Sequence, residues 1–253
     1  MNSIEKFTPA GLRIDGRRPK EFRIPEFEMG FTALPEIDGS VRYRQGGTVI
    51  EACVTGPSER QRRTEVFDMH TDLIINIELA SFSQTTLLDR NIARGVAQSH
   101  ISNLKSTLKS VLILSQPHSQ ITIDILVIQE DGALVAAMLN ACILALIDAG
   151  VPMKDLLVAT SVLRFSQNPL MENGVFVDPI VSEENNACFL TLAYLPNLKV
   201  VSATFLQGRL PVQEITKPTH GLIDTAVHAC QQLYEIFKTE LEKRAAQTQQ
   251  FTL

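Results

Sequence analysis

The chain has 253 residues, of which 45% are hydrophobic and 20% charged, and it carries a formal net charge of −5. That apolar content suffices for a sizeable core, and one globular unit over 1–253 is expected, with 1–10 and 247–253 as flexible ends. The acidic balance argues against a protein that coats nucleic acid by bulk charge, so any RNA or DNA contact must be local.

From the N-terminus, the first motif is GLRIDGRRP (11–19), which gathers Arg13, Arg17 and Arg18 around an Asp15-Gly16 turn. Composition favours a solvated surface turn here over a binding site. Short β-rich pieces at 22–31, 40–44 and 48–54, separated by Asp38-Gly39 and Gly46-Gly47, read as an antiparallel meander that Gly56-Pro57 ends. The polar stretch SERQRR (58–63) then sets Arg60, Arg62 and Arg63 in a loop before the next strand, 73–79. Such a cluster is commonly a solvated loop tip. It is also a geometry that grips a phosphate backbone, because guanidinium groups present fixed donors.

Val96, Ile101, Leu104, Leu108, Val111 and Leu112 recur at helical spacing, with Lys105 and Lys109 on the polar side and Pro117 beyond the end. An alternating strand follows, Ile121, Ile123, Ile125 and Val127, and then an Asp131-Gly132 turn. From Ala133 the chain becomes an almost unbroken apolar helix that stops at Gly150, with Pro152 just beyond. Apolar on nearly every face, this helix must be covered all round, and the rest of the chain is expected to wrap it. It is too short and too rich in small residues to span a bilayer, so no membrane contact is expected. The strand-helix alternation suggests an α/β sandwich.

A strand at 156–163, a turn-rich loop at 167–174, and a hairpin of 189–195 with 198–205 joined at Pro196-Asn197 complete the sheet material. The last element is a long amphipathic helix striped by Leu222, Ala226, Cys230, Leu233, Phe237 and Leu241, with Lys238, Lys243 and Arg244 expected to complement the dipole at its end. Cys53, Cys142, Cys188 and Cys230 stand far apart within apolar runs and lack CxxC spacing, so they read as reduced, buried thiols. Residues 1–9 contain no apolar segment of the secretory type, and an intracellular protein is expected.

Taken in order, GLRIDGRRPKEFR (11–23), DGS (38–40), QGGT (45–48), TGP (55–57), QEDGALVAAMLNACILALIDAGVPMKD (129–155) and DPIVSEE (178–184) resemble the RNase PH family, and within it the exosome ring subunits. The resemblance runs over nearly the whole chain. It implies a two-layer α/β (α+β) architecture, the RNase PH-like β-α-β-α fold of the ribosomal protein S5 domain 2-like type. It further implies a ring of six RNase PH-like subunits with a dimer partner of the ribosomal RNA-processing protein 45 type, cap subunits and associated nucleases. Single-stranded RNA would thread the central channel, in rRNA processing and mRNA decay in nucleus, nucleolus and cytoplasm.

Active members of that family cleave RNA from the 3′ end by phosphorolysis, which needs donors for the attacking phosphate and acidic groups for a metal ion or a proton. The family's phosphate turn is Asp-Gly-Gly followed by a hydroxyl residue, whereas Asp131-Gly132 is followed here by Ala133, Leu134 and Val135. A Cβ replaces the second Gly and aliphatic chains replace the hydroxyl. The family's adjacent arginine pair matches a region holding only Arg90 and Arg94, and the second family acid has no counterpart in 185–190 after Glu183 and Glu184. The expectation is therefore an inactive subunit with a vestigial site at Glu184, Arg94 and Asp178, no metal and no cofactor. RNA would be guided by Arg60, Arg62, Arg63, Arg90 and Arg94. The competing expectation is an active phosphate-dependent 3′–5′ exoribonuclease using Glu184, Asp178 and Arg94.

Overall fold

The computed structural model describes residues 12–32, 34–59, 71–84, 90–114, 119–164, 175–184, 187–208 and 221–251, with the side chains of 90–94, 96 and 248–251 outside that description. The first sheet is built from β1 (Pro25–Met29), β2 (Gly39–Gln45), β3 (Thr48–Glu59), β4 (Asp72–Leu79) and β5 (Ser119–Gln129), in the order β1-β2-β3-β5-β4. β1, β2, β3 and β5 pair antiparallel, while β4 runs parallel to β5. A parallel pair needs a long crossover, and α1 (Arg90–Val111) supplies it.

The second sheet, in the order β7-β6-β8-β9, comprises β6 (Val158–Arg164), β7 (Val175–Val177), β8 (Cys188–Leu195) and β9 (Val200–Gln207), all antiparallel. Two more helices lie in this half, the single turn α3 (Val181–Glu184) and the long α4 (Leu222–Phe251). The mixed α/β architecture with helices packed on two sheets is the one the sequence resemblance implied.

The central apolar helix is α2 (Leu134–Asp148), and it lies between the sheets, touching β2 and β3 on one side and β6 and β8 on the other. Met138, Leu139, Ile143, Leu144 and Leu146 have no exposed surface, and each contributes about 2 kcal/mol by leaving water. The one amide in the helix, Asn140, is fully satisfied by a strand edge: its Nδ2 donates to the Ala159 carbonyl at 3.0 Å, and the Ala159 N–H donates to its Oδ1 at 2.8 Å. β2 starts so close to the end of α2 that a side chain at Gly39 would collide with the Ala145 carbonyl and the Ala149 nitrogen.

Two expectations are revised. β3 does not stop at Gly56-Pro57 but continues to Glu59 through a cis Gly56–Pro57 peptide, with its pairing to β5 shifting register between Thr55 and Ser58. Lys238, Lys243 and Arg244 do not mark the end of α4, which runs on to Phe251. Arg244 instead pins the helix across the fold, donating to the Met29 carbonyl at 2.7 Å and pairing with Asp148 at 3.1 Å. The same Asp148 accepts the Ser40 N–H at 3.0 Å, so α4 and β2 meet α2 at one carboxylate, with β1 joined through Arg244. All four cysteines are free, and Cys142, Cys188 and Cys230 are buried as expected, while Cys53 is only half-buried.

Candidate functional site

The turn between β5 and α2 positions the site. Thr48 holds it from β3, accepting the Asp131 N–H at 3.1 Å and donating to the Gly132 carbonyl at 3.1 Å. Gly132 has φ of 81° and lies so near the backbone of Pro179 and Ile180 that any side chain there would strike the Pro179 carbonyl. Ala133 follows in the left-handed region at φ 52°, ψ 30°, an uncommon place for a residue with a Cβ. It caps α2 without a side-chain hydrogen bond, so the helix start is held by its backbone donors alone.

One of these donors is already taken. The Ala133 N–H donates to Glu184 Oε1 at 2.8 Å, bringing a carboxylate of α3 to the N-terminus of α2, the end of a helix that favours an anion. Burial pushes the Glu184 carboxyl up to about 7, with Glu130 and Asp178 adding to the rise and the Ala133 N–H and Arg23 opposing it.

Asp178, just before α3, is held on both oxygens. Arg23 Nε and Nη2 each reach it at 2.7 Å, the Arg23 backbone N–H donates to it at 2.9 Å, and Arg17 Nη1 approaches at 3.3 Å. Arg23 also pairs through Nη1 with Asp131 Oδ2 at 3.0 Å and the Asp131 carbonyl at 2.8 Å, tying the β5–α2 turn to the segment before α3. Beneath these, Arg13 forms a two-armed pair with Glu183 and donates to the carbonyls of Val177 at 2.6 Å and Asp178 at 2.9 Å. Glu183 also accepts the Ile180 N–H at 3.1 Å.

The expected solvated turn at Arg13, Arg17 and Arg18 is thus corrected: Arg13 is 0% exposed and Arg17 is mostly covered, while Arg18 alone stays on the surface. A buried guanidinium is tolerated because it is matched donor for donor by carbonyls and a carboxylate. Arg13, Arg17 and Arg23 lie outside the expected site residues, and no local signal marks them, since their partners lie across the chain.

Of the residues picked from the sequence, Asp178 and Glu184 come together at this turn. Arg90 and Arg94 fall in the first turns of α1, but their side chains lie outside the described residues, as do Arg60, Arg62 and Arg63 altogether. Among the described residues, no group of three or more His, Cys, Asp or Glu side chains forms a metal-ligand set, and Asp178 has both oxygens committed to arginines. What the arrangement does chemically is to clamp the N-terminal arginine motif, the β5–α2 turn and α3 into one ion-paired unit.

The model of the 3′ exoribonuclease family, RNase PH domain 1, matches residues 21–152. The exosome complex component RRP41 homolog of Arabidopsis thaliana is 29% identical over 96% of this chain and 97% of its own length. The exosome complex component SKI6 of Saccharomyces cerevisiae is 26% identical over 97% of this chain and 96% of its own. Rice (Oryza sativa) Rrp46, a solved structure 24% identical in sequence, superposes with a TM-score of 0.74, covering 90% of this chain and all of that one.

Proposed function

The chain belongs to the RNase PH family, and on that footing we propose that it is a catalytically silent, RRP41-like subunit of an RNA exosome core ring, which scaffolds the ring and guides single-stranded RNA toward 3′–5′ processing and decay. The full-length match to relatives named as exosome complex components supports the ring assignment. Its partners would be other RNase PH-like subunits in a ring of six, with a dimer neighbour of the ribosomal RNA-processing protein 45 type, plus cap subunits and associated nucleases. Work in the nucleus, nucleolus and cytoplasm fits eukaryotic relatives of this kind.

The observation that carries the loss of catalysis is the Ala133 N–H bond to Glu184. The family resemblance assigns this turn to the attacking phosphate. Here the chain's own carboxylate takes the backbone donor, and it does so at a residue whose Cβ already replaces the family's second Gly. A phosphate ion entering this place must displace or meet a carboxylate, an unfavourable encounter of like charges. Asp178, the other acid, is neutralised by Arg23.

The test is phosphorolysis. The purified chain, alone and with its dimer partner, is incubated with single-stranded RNA and orthophosphate, and no nucleoside diphosphate is expected. Phosphate-dependent release of nucleoside diphosphates would instead establish the second reading, an active exoribonuclease. One feature favours that reading: a Glu184 carboxyl raised to about 7 is protonated often enough to act as a general acid.

A further inference from the structure

Where α1 ends beside the β8–β9 hairpin, several aliphatic side chains are exposed. Ile113 follows α1, Leu198 sits at the hairpin tip, and Val200 and Val201 open β9; Leu198 is 52% exposed and Val200 51%. Short bonds tie the end of α1, the segment at 152–154 and β9 together. Ser110 meets Ser202 through their hydroxyls at 2.7 Å, the Ile113 N–H donates to the Pro152 carbonyl at 3.1 Å, and Lys154 Nζ donates to the Ser110 carbonyl at 2.7 Å. Asp155 holds the hairpin tip in place, accepting the Asn197 N–H at 3.0 Å and the Leu198 N–H at 3.1 Å. Single exposed aliphatics are ordinary, but four of them on elements bonded to one another point to an interaction surface.

Two further properties say what covers it. β9 is the last strand of its sheet, so among the described residues one row of its backbone donors and acceptors has no strand partner. The patch is also basic in a chain of net charge −5: Lys109, Lys154 and Lys199 are exposed around it, and none of the three is ion-paired among the described residues. The carboxylate beneath the hairpin tip, Asp155, is buried and committed to the donors of Leu156, Asn197 and Leu198. Single-stranded RNA is held by a basic groove together with aromatic rings on which its bases stack, and the exposed apolar side chains here are aliphatic. This surface offers lysines and branched aliphatics, which suit a peptide.

We propose that this corner docks an extended segment of another protein, one that alternates aliphatic residues with aspartate or glutamate and adds as a strand to the free edge of β9. Backbone pairing to β9 supplies affinity, Leu198, Val200 and Val201 receive the aliphatic side chains, and the three lysines select for acidic neighbours. The inference rests on this surface alone and holds whether or not the Glu184 site is catalytically silent.

The test places the photo-crosslinking residue benzoylphenylalanine at Val200 of the full chain within its native assembly, and identifies the attached peptide by mass spectrometry. The expected product is one acidic, aliphatic segment of another chain. Its yield should fall at least tenfold in Lys154→Glu/Lys199→Glu, and should return when the captured segment's carboxylates are replaced by lysine. If that variant unfolds, Lys109→Glu/Lys199→Glu serves, since neither side chain makes a described ion pair. Crosslinks to RNA, to a second copy of this chain, to a segment without acidic residues, or to nothing overturn the proposal, as does a yield indifferent to the lysines.

Discussion

Glu184 Oε1 lies 2.8 Å from the Ala133 nitrogen, so the first backbone donor of the central helix is satisfied by a carboxylate that reaches it from 51 positions away. This bond is made although burial pushes that same carboxyl up to about 7. A carboxyl raised in the folded state, compared with an ordinary glutamate when unfolded, keeps its proton longer when folded. Between the unfolded value near 4.5 and about 7, the folded chain therefore binds more protons, and its stability falls as pH rises through that window. Above about 7 the penalty is complete and no longer changes. Glu184→Gln removes this titration, so the difference in unfolding midpoint between the variant and the parent should grow from pH 5 to pH 7.5 and then level off. Thermal unfolding followed across that range checks it; a difference that shrinks with rising pH would place the carboxyl on the other side of its ordinary value.

The pair of Arg13 with Glu183 is the most deeply buried ion pair described, with side chains 0% and 1% exposed. Truncating one partner strands the other in a site from which water is excluded. Arg13→Met should cost about 3–5 kcal/mol, because Glu183 loses both arms of its partner and the Val177 carbonyl loses its Arg13 donor, while the Asp178 carbonyl keeps only Arg17. Arg13→Met combined with Glu183→Leu should recover much of that loss, since no unpaired charge remains. Urea unfolding of the two single variants and the double variant gives the coupling directly.

The central helix was legible because its signal is local: an Asp131-Gly132 turn, an unbroken apolar run and a stop at Gly150 all lie within one stretch. The fate of Arg13 was not, because its carboxylate partner is 170 positions away and nothing in a nine-residue basic turn distinguishes a solvated arginine from a matched one. The same holds for the end of β3. Gly-Pro ordinarily closes a strand, yet pairing with β5 resumes at Ser58 opposite Gln120 after a shift of register, a choice made by the neighbouring strand and not by the dipeptide. Asp178 and Glu184 could be picked from a motif, whereas the bond that fills the α2 terminus depends on how α3 docks.

Asn140 shows the cost of a polar group in an apolar helix that must lie between two sheets. Its amide replaces the missing pairing partner of Ala159 by giving and receiving one bond. Asn140→Leu matches the volume but leaves the Ala159 N–H and carbonyl buried without those partners, and should cost about 3 kcal/mol. Asn140→Asp should be worse, because a carboxylate can accept the N–H but cannot donate to the carbonyl. Equilibrium unfolding ranks the three; equal stability of Leu and Asn would mean that β6 finds other partners by relaxing.

We propose Arg60, Arg62 and Arg63 as the residues that guide RNA, and salt dependence isolates that role. An arginine that contacts phosphate displaces condensed counterions, so each contact to single-stranded RNA adds about 0.7 to the slope of log affinity against log salt. Replacing all three with alanine should weaken binding of single-stranded RNA by the assembled ring at low salt and flatten that slope by about 2. Lysine in their place should preserve most of the slope, because the charge is kept while the fork of donors is lost. Binding measured between 50 and roughly 200 mM salt, the range over which counterion release is read, supplies the comparison. An unchanged slope in the alanine variant would return these arginines to the solvated loop tip that their composition equally describes.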